Sequence, residues 1–194
     1  LAERWAEESA RAKGLPPDSP LLGEELLTGP WALIYALNRY RDSLRAVARG
    51  RTPRLPRGTI RTRPDGQVAV RVFPHTLSDR ILLNGVSAEV WMEPGVARAD
   101  LRGTMASVYR RREATGRVAL VLGAGNLAAI APLDLLTKLI GEGQVCLLML
   151  NPVNAYLAPI LAEVFGSLID AGFVQLAQGD AEAGAYLCAH KEVD

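Results

Sequence analysis

Gly123-Ala124-Gly125-Asn126-Leu127-Ala128 matches the spacing G-x-G-x-x-[GA]. Residues of this kind let a backbone come close to a pyrophosphate, because no Cβ stands in the way at the glycines. Free N–H groups at the start of a following helix then favour an anion. Asn126 ends the turn, and its plain reading is a cap on helix N–H groups. The plain alternative for the whole motif is a tight strand-to-helix turn with no ligand. An ordinary dinucleotide site also carries an Asp or Glu at the end of the second strand to hold ribose hydroxyls, and this chain has Leu150-Asn151 there.

Other reactive residue types are sparse. Cys146 and Cys188 give neither a disulfide framework nor a metal-ligand spacing. Cys146 lies within an apolar run, where a thiol is inert, and Cys188 falls on the last helical pattern, away from the turn. His75 and His190 have no Cys or Asp partner in the sequence pattern and suit surface or capping roles. No metal site is expected.

The elements that must position the turn follow from hydrophobic pattern. Val118–Leu122 contains no polar residue and is short enough for a strand buried on both faces. After the turn, Leu127, Ile130, Leu133, Leu136 and Ile140 recur at helical spacing, closed by Gly141 and Gly143. A second apolar run covers 145–150. Asn154 is then a candidate cap for a helix that buries Leu157, Ile160, Leu161, Val164 and Leu168 and ends at Gly172. A third strand spans 173–177, Gly179-Asp180 turns, and a last helix covers 181–190. Three strands joined by two helices predict an α/β, Rossmann-like parallel sheet with right-handed crossovers and a ligand at its carboxyl ends.

Upstream, helices are predicted over 1–13, 21–27 and 31–49. The last follows Thr28-Gly29-Pro30 and carries Leu33, Leu37, Tyr40, Leu44 and Val47 at steps of four and three. Six arginines lie between Arg49 and Arg63, interrupted by Pro53 and Pro56. Nucleic-acid surfaces ordinarily add lysines and stacking aromatics, and none are interleaved here, so a solvated linker or an arm against an acidic surface is the better reading. A hairpin is predicted over 59–73, with a Pro64-Asp65-Gly66 turn and alternating Val68, Val70 and Val72. Its open edge invites pairing with another strand, hence a homo-oligomer. Helical character over 77–82, a strand over 87–92 and a helix over 99–112 complete this part. The chain thus divides into a helical segment (1–58), a hairpin and connecting region (59–115) and the cofactor-type half (116–194).

The 194 residues suffice for one sizeable domain or for one large and one small, and 49% of them are hydrophobic with 22% charged. No apolar run reaches the roughly 18 residues of a membrane span, and no signal peptide is evident, which makes cytoplasm the default. Up to Gly116 there are 19 Lys and Arg against 13 Asp and Glu; from Arg117 there are 3 against 8. The halves of opposite sign either face one another or leave the basic half for an anionic partner. The chain opens on Leu1 and stops after a helical pattern without a cap, so it is expected to be a piece of a longer protein.

Three blocks in order, GRVALVLGAGN, EGQVCLLMLNPVNAYLAPIL and GFVQLAQGDAEAGAYLCAHKEVD, resemble the cofactor half of the aldehyde dehydrogenase superfamily, nearest to its acyl-CoA reductase-like branch. The resemblance covers about residues 116–194, with Asn-Pro-Val-Asn after the second strand among its familiar features. It implies that Asn126 is the asparagine whose amide steadies the oxyanion of a tetrahedral intermediate. It implies that Gly123, Ala124 and Gly125 form the floor beneath the nicotinamide and phosphates of NADP or NAD, and that Gly179 and Gly184 pack near the adenine. The family's ribose-binding lysine corresponds to Met149 in an ungapped alignment, and Pro152 replaces the acid that often follows. A thioether cannot replace an ammonium donor, which leaves Asn151 or Asn154 to hold the ribose more weakly.

The family's nucleophilic cysteine lies well downstream of anything in this sequence. The expectation is therefore the cofactor-binding portion of an NAD(P)-dependent oxidoreductase acting on an aldehyde or acyl thioester, inactive by itself. The rival from another class is a non-catalytic nucleotide-binding or scaffold protein with a degenerate site, favoured by Met149. A third reading, a nucleic-acid module using the arginine arm, requires binding that weakens steeply with salt.

Overall fold

The computed structural model describes all residues except Arg54, Arg57 and 112–115. In chain order the elements are α1 (Ala2–Ala12), α2 (Leu22–Leu26), α3 (Ala32–Ala48), β1 (Ile60–Thr62), β2 (Val68–Phe73), α4 (Leu77–Leu82), β3 (Ala88–Trp91), α5 (Leu101–Thr104), β4 (Val118–Leu122), α6 (Ile130–Leu136), β5 (Val145–Met149), α7 (Ala158–Val164), α8 (Gly166–Asp170), β6 (Val174–Ala177) and α9 (Ala181–Cys188). They form an α/β chain with one parallel and one antiparallel sheet of three strands each. The parallel part is roughly consistent with a Rossmann-like portion.

Two compact units divide the chain: residues 1–42 with 108–194, and residues 43–107. The sequence boundaries at 58/59 and 115/116 fall elsewhere. Helices α1 and the start of α3 belong to the first unit because Trp5 and Leu33 enter the same buried cluster as sheet residues Ala119, Val121, Cys146, Leu148 and Val174. Ser9, fully buried, accepts a hydrogen bond from the Tyr156 hydroxyl at 2.9 Å, whereas the buried Trp5 Nε1, also on α1, has no partner among the described residues.

In the first unit β4, β5 and β6 run parallel in that spatial order, Val118 to Leu122 pairing with Val145 to Met149 and Cys146 to Met149 with Val174 to Ala177. Alternation then assigns the faces. Ala119, Val121, Cys146, Leu148 and Val174 share one face, where Cys146 Sγ reaches the Leu135 carbonyl of α6 at 3.6 Å. Leu120, Leu122, Leu147 and Met149 share the other, where Met149 approaches Gly184 of α9. Helices α6 and α9 therefore cover opposite faces. The expectation that β4 is buried on both faces is corrected: its second face is half-buried, and Leu122 is 50% exposed. Helix α9, eight residues long, is short cover for that side.

The direction of travel reverses at β4. Residues 117, 119, 121 and 123 turn their backbone groups to β5, as in Val145 N–H to Arg117 O (3.0 Å) and Gly123 N–H to Met149 O (2.8 Å). Val118 turns its own to the opposite edge, where its carbonyl accepts from Asp194 N (3.0 Å) and its N–H donates to Asp194 Oδ2 (2.9 Å). The chain leaving β6 at one edge thus returns along α9 to the far edge of β4.

Several expected boundaries move for local reasons. The helix after the turn begins at Ile130 rather than Leu127. A start at Leu127 would put Pro132 in a helix interior, where its missing N–H and its ring are not tolerated; a start at Ile130 puts it in the first turn. The helix expected over 99–112 is only α5 and a separate 3₁₀ turn, Ser107–Arg110, with Ala106 at φ 52 between them; Arg112 lies outside the described residues. The long helix after β5 is a 3₁₀ turn, Pro152–Leu157, followed by α7 and α8, and its cap is Asn151, not Asn154.

The second unit holds the predicted hairpin, with Ile60, Arg61 and Thr62 opposite Val70, Ala69 and Val68, and adds β3 antiparallel to β2. Val68, Val70 and Leu101 form a small buried cluster supported by Leu55, Ile60, Met92 and Val96. On the opposite face Arg61 is paired with Glu89, and the Arg63 guanidinium lies 3.7 Å from the Trp91 ring centroid. That ion pair holds the Glu89 carboxyl below its ordinary pKa, chiefly through the hydrogen bond from Arg61. Among the described residues, no helix is long and apolar enough to cross a membrane.

Candidate active-site turn

The glycine turn sits at the carboxyl end of β4, the strand at which the connections diverge. This is where open parallel sheets leave a crevice for ligands. Its two glycines are needed sterically. A Cβ on Gly123 would stand 3.0 Å from Ala131 Cβ and 3.3 Å from both Asn151 N and Met149 O. A Cβ on Gly125 would stand 3.1 Å from the Asn151 side chain. The turn is therefore pressed against the start of the segment after β5, and only glycine fits that approach without displacement.

Asn126 is exposed, and its side chain makes no hydrogen bond among the described residues. It caps nothing, since the N-cap position of α6 is Ala129, which offers no side-chain oxygen. The six N–H groups from Ala124 to Ala129 likewise donate to nothing among the described residues. A run of unpaired donors on a glycine turn leading to a helix start is what a phosphate or oxyanion requires.

The residues expected near a ribose are largely engaged within the chain. Met149 is buried at 6% exposure, and its Cε lies 3.3 Å from where a Cβ of Gly179 would be, with Sδ and Cε near Gly184 as well. The thioether fills the space between β5 and α9. Gly179 precedes Asp180, whose carboxylate accepts from Glu182 N and Ala183 N and so occupies the start of α9. Asn151 Oδ1 accepts from Val153 N at 3.0 Å as a cap, leaving its amide nitrogen. Asn154 is buried and gives its amide to Ala124 O (2.9 Å) and Gly125 O (3.4 Å). The structure brings Gly123, Ala124, Gly125, Asn151 and Asn154 together around the turn; Gly179 and Gly184 gather separately around Met149. The tether from Asn154 had no sequence signal beyond an asparagine in the right strand-end segment.

Neither cysteine sits at the turn. Burial pushes the Cys146 thiol up to about 11, so it is a neutral packing group at ordinary pH. Cys188 is exposed near the end of α9. Among the described residues no group of His, Cys, Asp and Glu could hold a metal ion.

No protein-family model, curated protein or solved structure matches the chain.

Proposed function

We propose that this chain is the cofactor-binding portion of an NAD(P)-dependent oxidoreductase of the aldehyde dehydrogenase and acyl-CoA reductase type, with NADP or NAD as cofactor and an aldehyde or acyl thioester as substrate. The observation that carries the reading is an exposed, unpartnered Asn126 amide at the end of a parallel strand, beside a run of unpaired N–H groups. Bound dinucleotide supplies or accepts the hydride. The N–H groups of residues 124–127 would hold its phosphates, Gly123 and Gly125 would permit the close approach, and Asn126 would donate to the oxyanion that develops at a carbonyl carbon. One preorganised donor of this kind lowers a barrier by about 3–4 kcal/mol. On the family resemblance neither Cys146 nor Cys188 is the thiolate that would bind that carbonyl, so the chain is expected to bind dinucleotide without turnover. A cytoplasmic site of action and assembly into a homo-oligomer through the edges of the antiparallel sheet belong to the same proposal.

A non-catalytic nucleotide-binding or scaffold role is the second reading. The buried Met149 and the two engaged asparagine side chains favour it, because together they leave one amide, that of Asn151, for a ribose. Titration with NADPH and NADH, followed by addition of aldehyde, separates the two. Saturable binding without turnover agrees with the first reading, silence with both dinucleotides removes it, and turnover by this chain alone means that the nucleophile has been misplaced.

A further inference from the structure

We propose that Asn154 is a positioning residue that aims the Gly125 and Asn126 N–H groups at the ligand side of the turn. The proposal rests on the dinucleotide reading for what is bound, but its geometry stands on this structure alone. Buried polar side chains are few among the described residues: Ser9, Glu25, Asp79 and Asn154. The first three have structural partners, namely Tyr156, Lys13 and the start of α4. Asn154 instead spends its amide across about thirty residues of sequence, on the carbonyls of Ala124 and Gly125.

Peptide planarity turns that contact into control. In a trans peptide the C=O and the N–H of the same plane point in opposite directions. Holding Ala124 O therefore sets the direction of Gly125 N–H, and holding Gly125 O sets that of Asn126 N–H. Both carbonyls face the buried amide, so both N–H groups face away from it, and neither has a partner among the described residues. The Asn151 side chain lies 3.1 Å from where a Cβ of Gly125 would stand, so the turn packs against it on that side. A glycine turn without such a tether is the most rotationally free backbone available. With it, two donors are preorganised before any ligand arrives.

The test uses the full ¹⁵N-labelled chain with Asn154→Ala and the isosteric Asn154→Asp, followed by amide spectra, hydrogen exchange and titration with NADP⁺ and NAD⁺. The expected result is displaced Gly125 and Asn126 amide resonances, with exchange faster by about tenfold or more, while amides of β4 and β5 keep their protection. Dinucleotide dissociation constants should rise by a similar factor. Should the alanine variant fail to fold, the aspartate variant carries the same comparison, since it keeps the volume and loses the donor. Unchanged turn amides in the variants overturn the assignment, and so does a loss of protection spread evenly over β4 and β5. If the unmodified chain binds neither dinucleotide, the oxidoreductase reading falls, and the exchange comparison still decides the role of Asn154.

Discussion

The two sheets of this molecule have three strands each and opposite characters. In β4-β5-β6 the strands are near-continuous apolar runs, one face is sealed by Leu135, Leu136, Leu157, Leu161 and Phe165, and the backbone turn at the strand end is held from behind. In β1-β2-β3 the strands alternate, the buried cluster is three residues, and Arg61, Glu89, Arg63 and Trp91 lie over the opposite face. Charge follows the same division: residues 43–107 hold 11 arginines against 5 acids, and the remainder 11 Lys and Arg against 16 acids. Helix α4 adds Leu77, Ile81 and Leu82, all about 70% exposed, to the basic unit. The contrast teaches that one unit is built to hold a backbone loop rigidly, whereas the other leaves its apolar residues and strand edges available.

Core substitution should show the contrast most strongly. Leu148→Ala, at the centre of β5 and fully buried, is expected to lower stability by about 2–5 kcal/mol in urea unfolding; a loss under about 1 kcal/mol would mean that this interior relaxes freely. Asn126→Ala should do the reverse, leaving stability within about 0.5 kcal/mol because the side chain is exposed and unpartnered. In an enzyme that also carries the nucleophile, the same change should cut kcat by roughly 10²–10³. Gly123→Ala places a methyl group against Ala131 and backbone atoms, so about 1–3 kcal/mol of stability and the dinucleotide affinity should be lost together.

Cys146 gives a pH signature. Its thiol pKa is raised from 9.0 to about 11 by burial, so the folded state keeps a proton that the unfolded state releases. The contribution is complete below pH 9 and is lost as pH rises from there toward about 11. Alkaline unfolding followed with and without Cys146→Ala should show a shallower decline in the variant, and at pH 8 a thiol reagent should label exposed Cys188 alone. The smallest effect is expected in the other unit: Ile81→Ser, on an exposed helix face, should change stability by about 0.5 kcal/mol or less while lowering any self-association.

Much of this architecture is legible in residue pattern. The run Val118–Leu122 is β4 residue for residue, the valine alternation in 68–72 becomes β2, and Gly50, Gly66, Gly143 and Gly172 sit at positive φ where the pattern places turns or helix ends. What was hidden depends on partners distant in sequence. An asparagine at 154 looks like a helix cap, because local pattern cannot reveal that it is pointed at residue 124. Met149 reads as a missing lysine, and only the fold shows its thioether filling the gap beside Gly179 and Gly184. Pro132 did carry the correct helix start, through a steric rule that hydrophobic periodicity overlooks.

On the proposed reading, the turn after β4 presents its unpaired donors to an anionic dinucleotide. Titrating the ¹⁵N-labelled chain with NADPH and NADH while following the amides of residues 123–129 tests it most directly. Saturable shifts concentrated in those amides with at least one of the two cofactors, and their loss in Gly123→Ala, are expected. Amides that stay in place with both cofactors would contradict it.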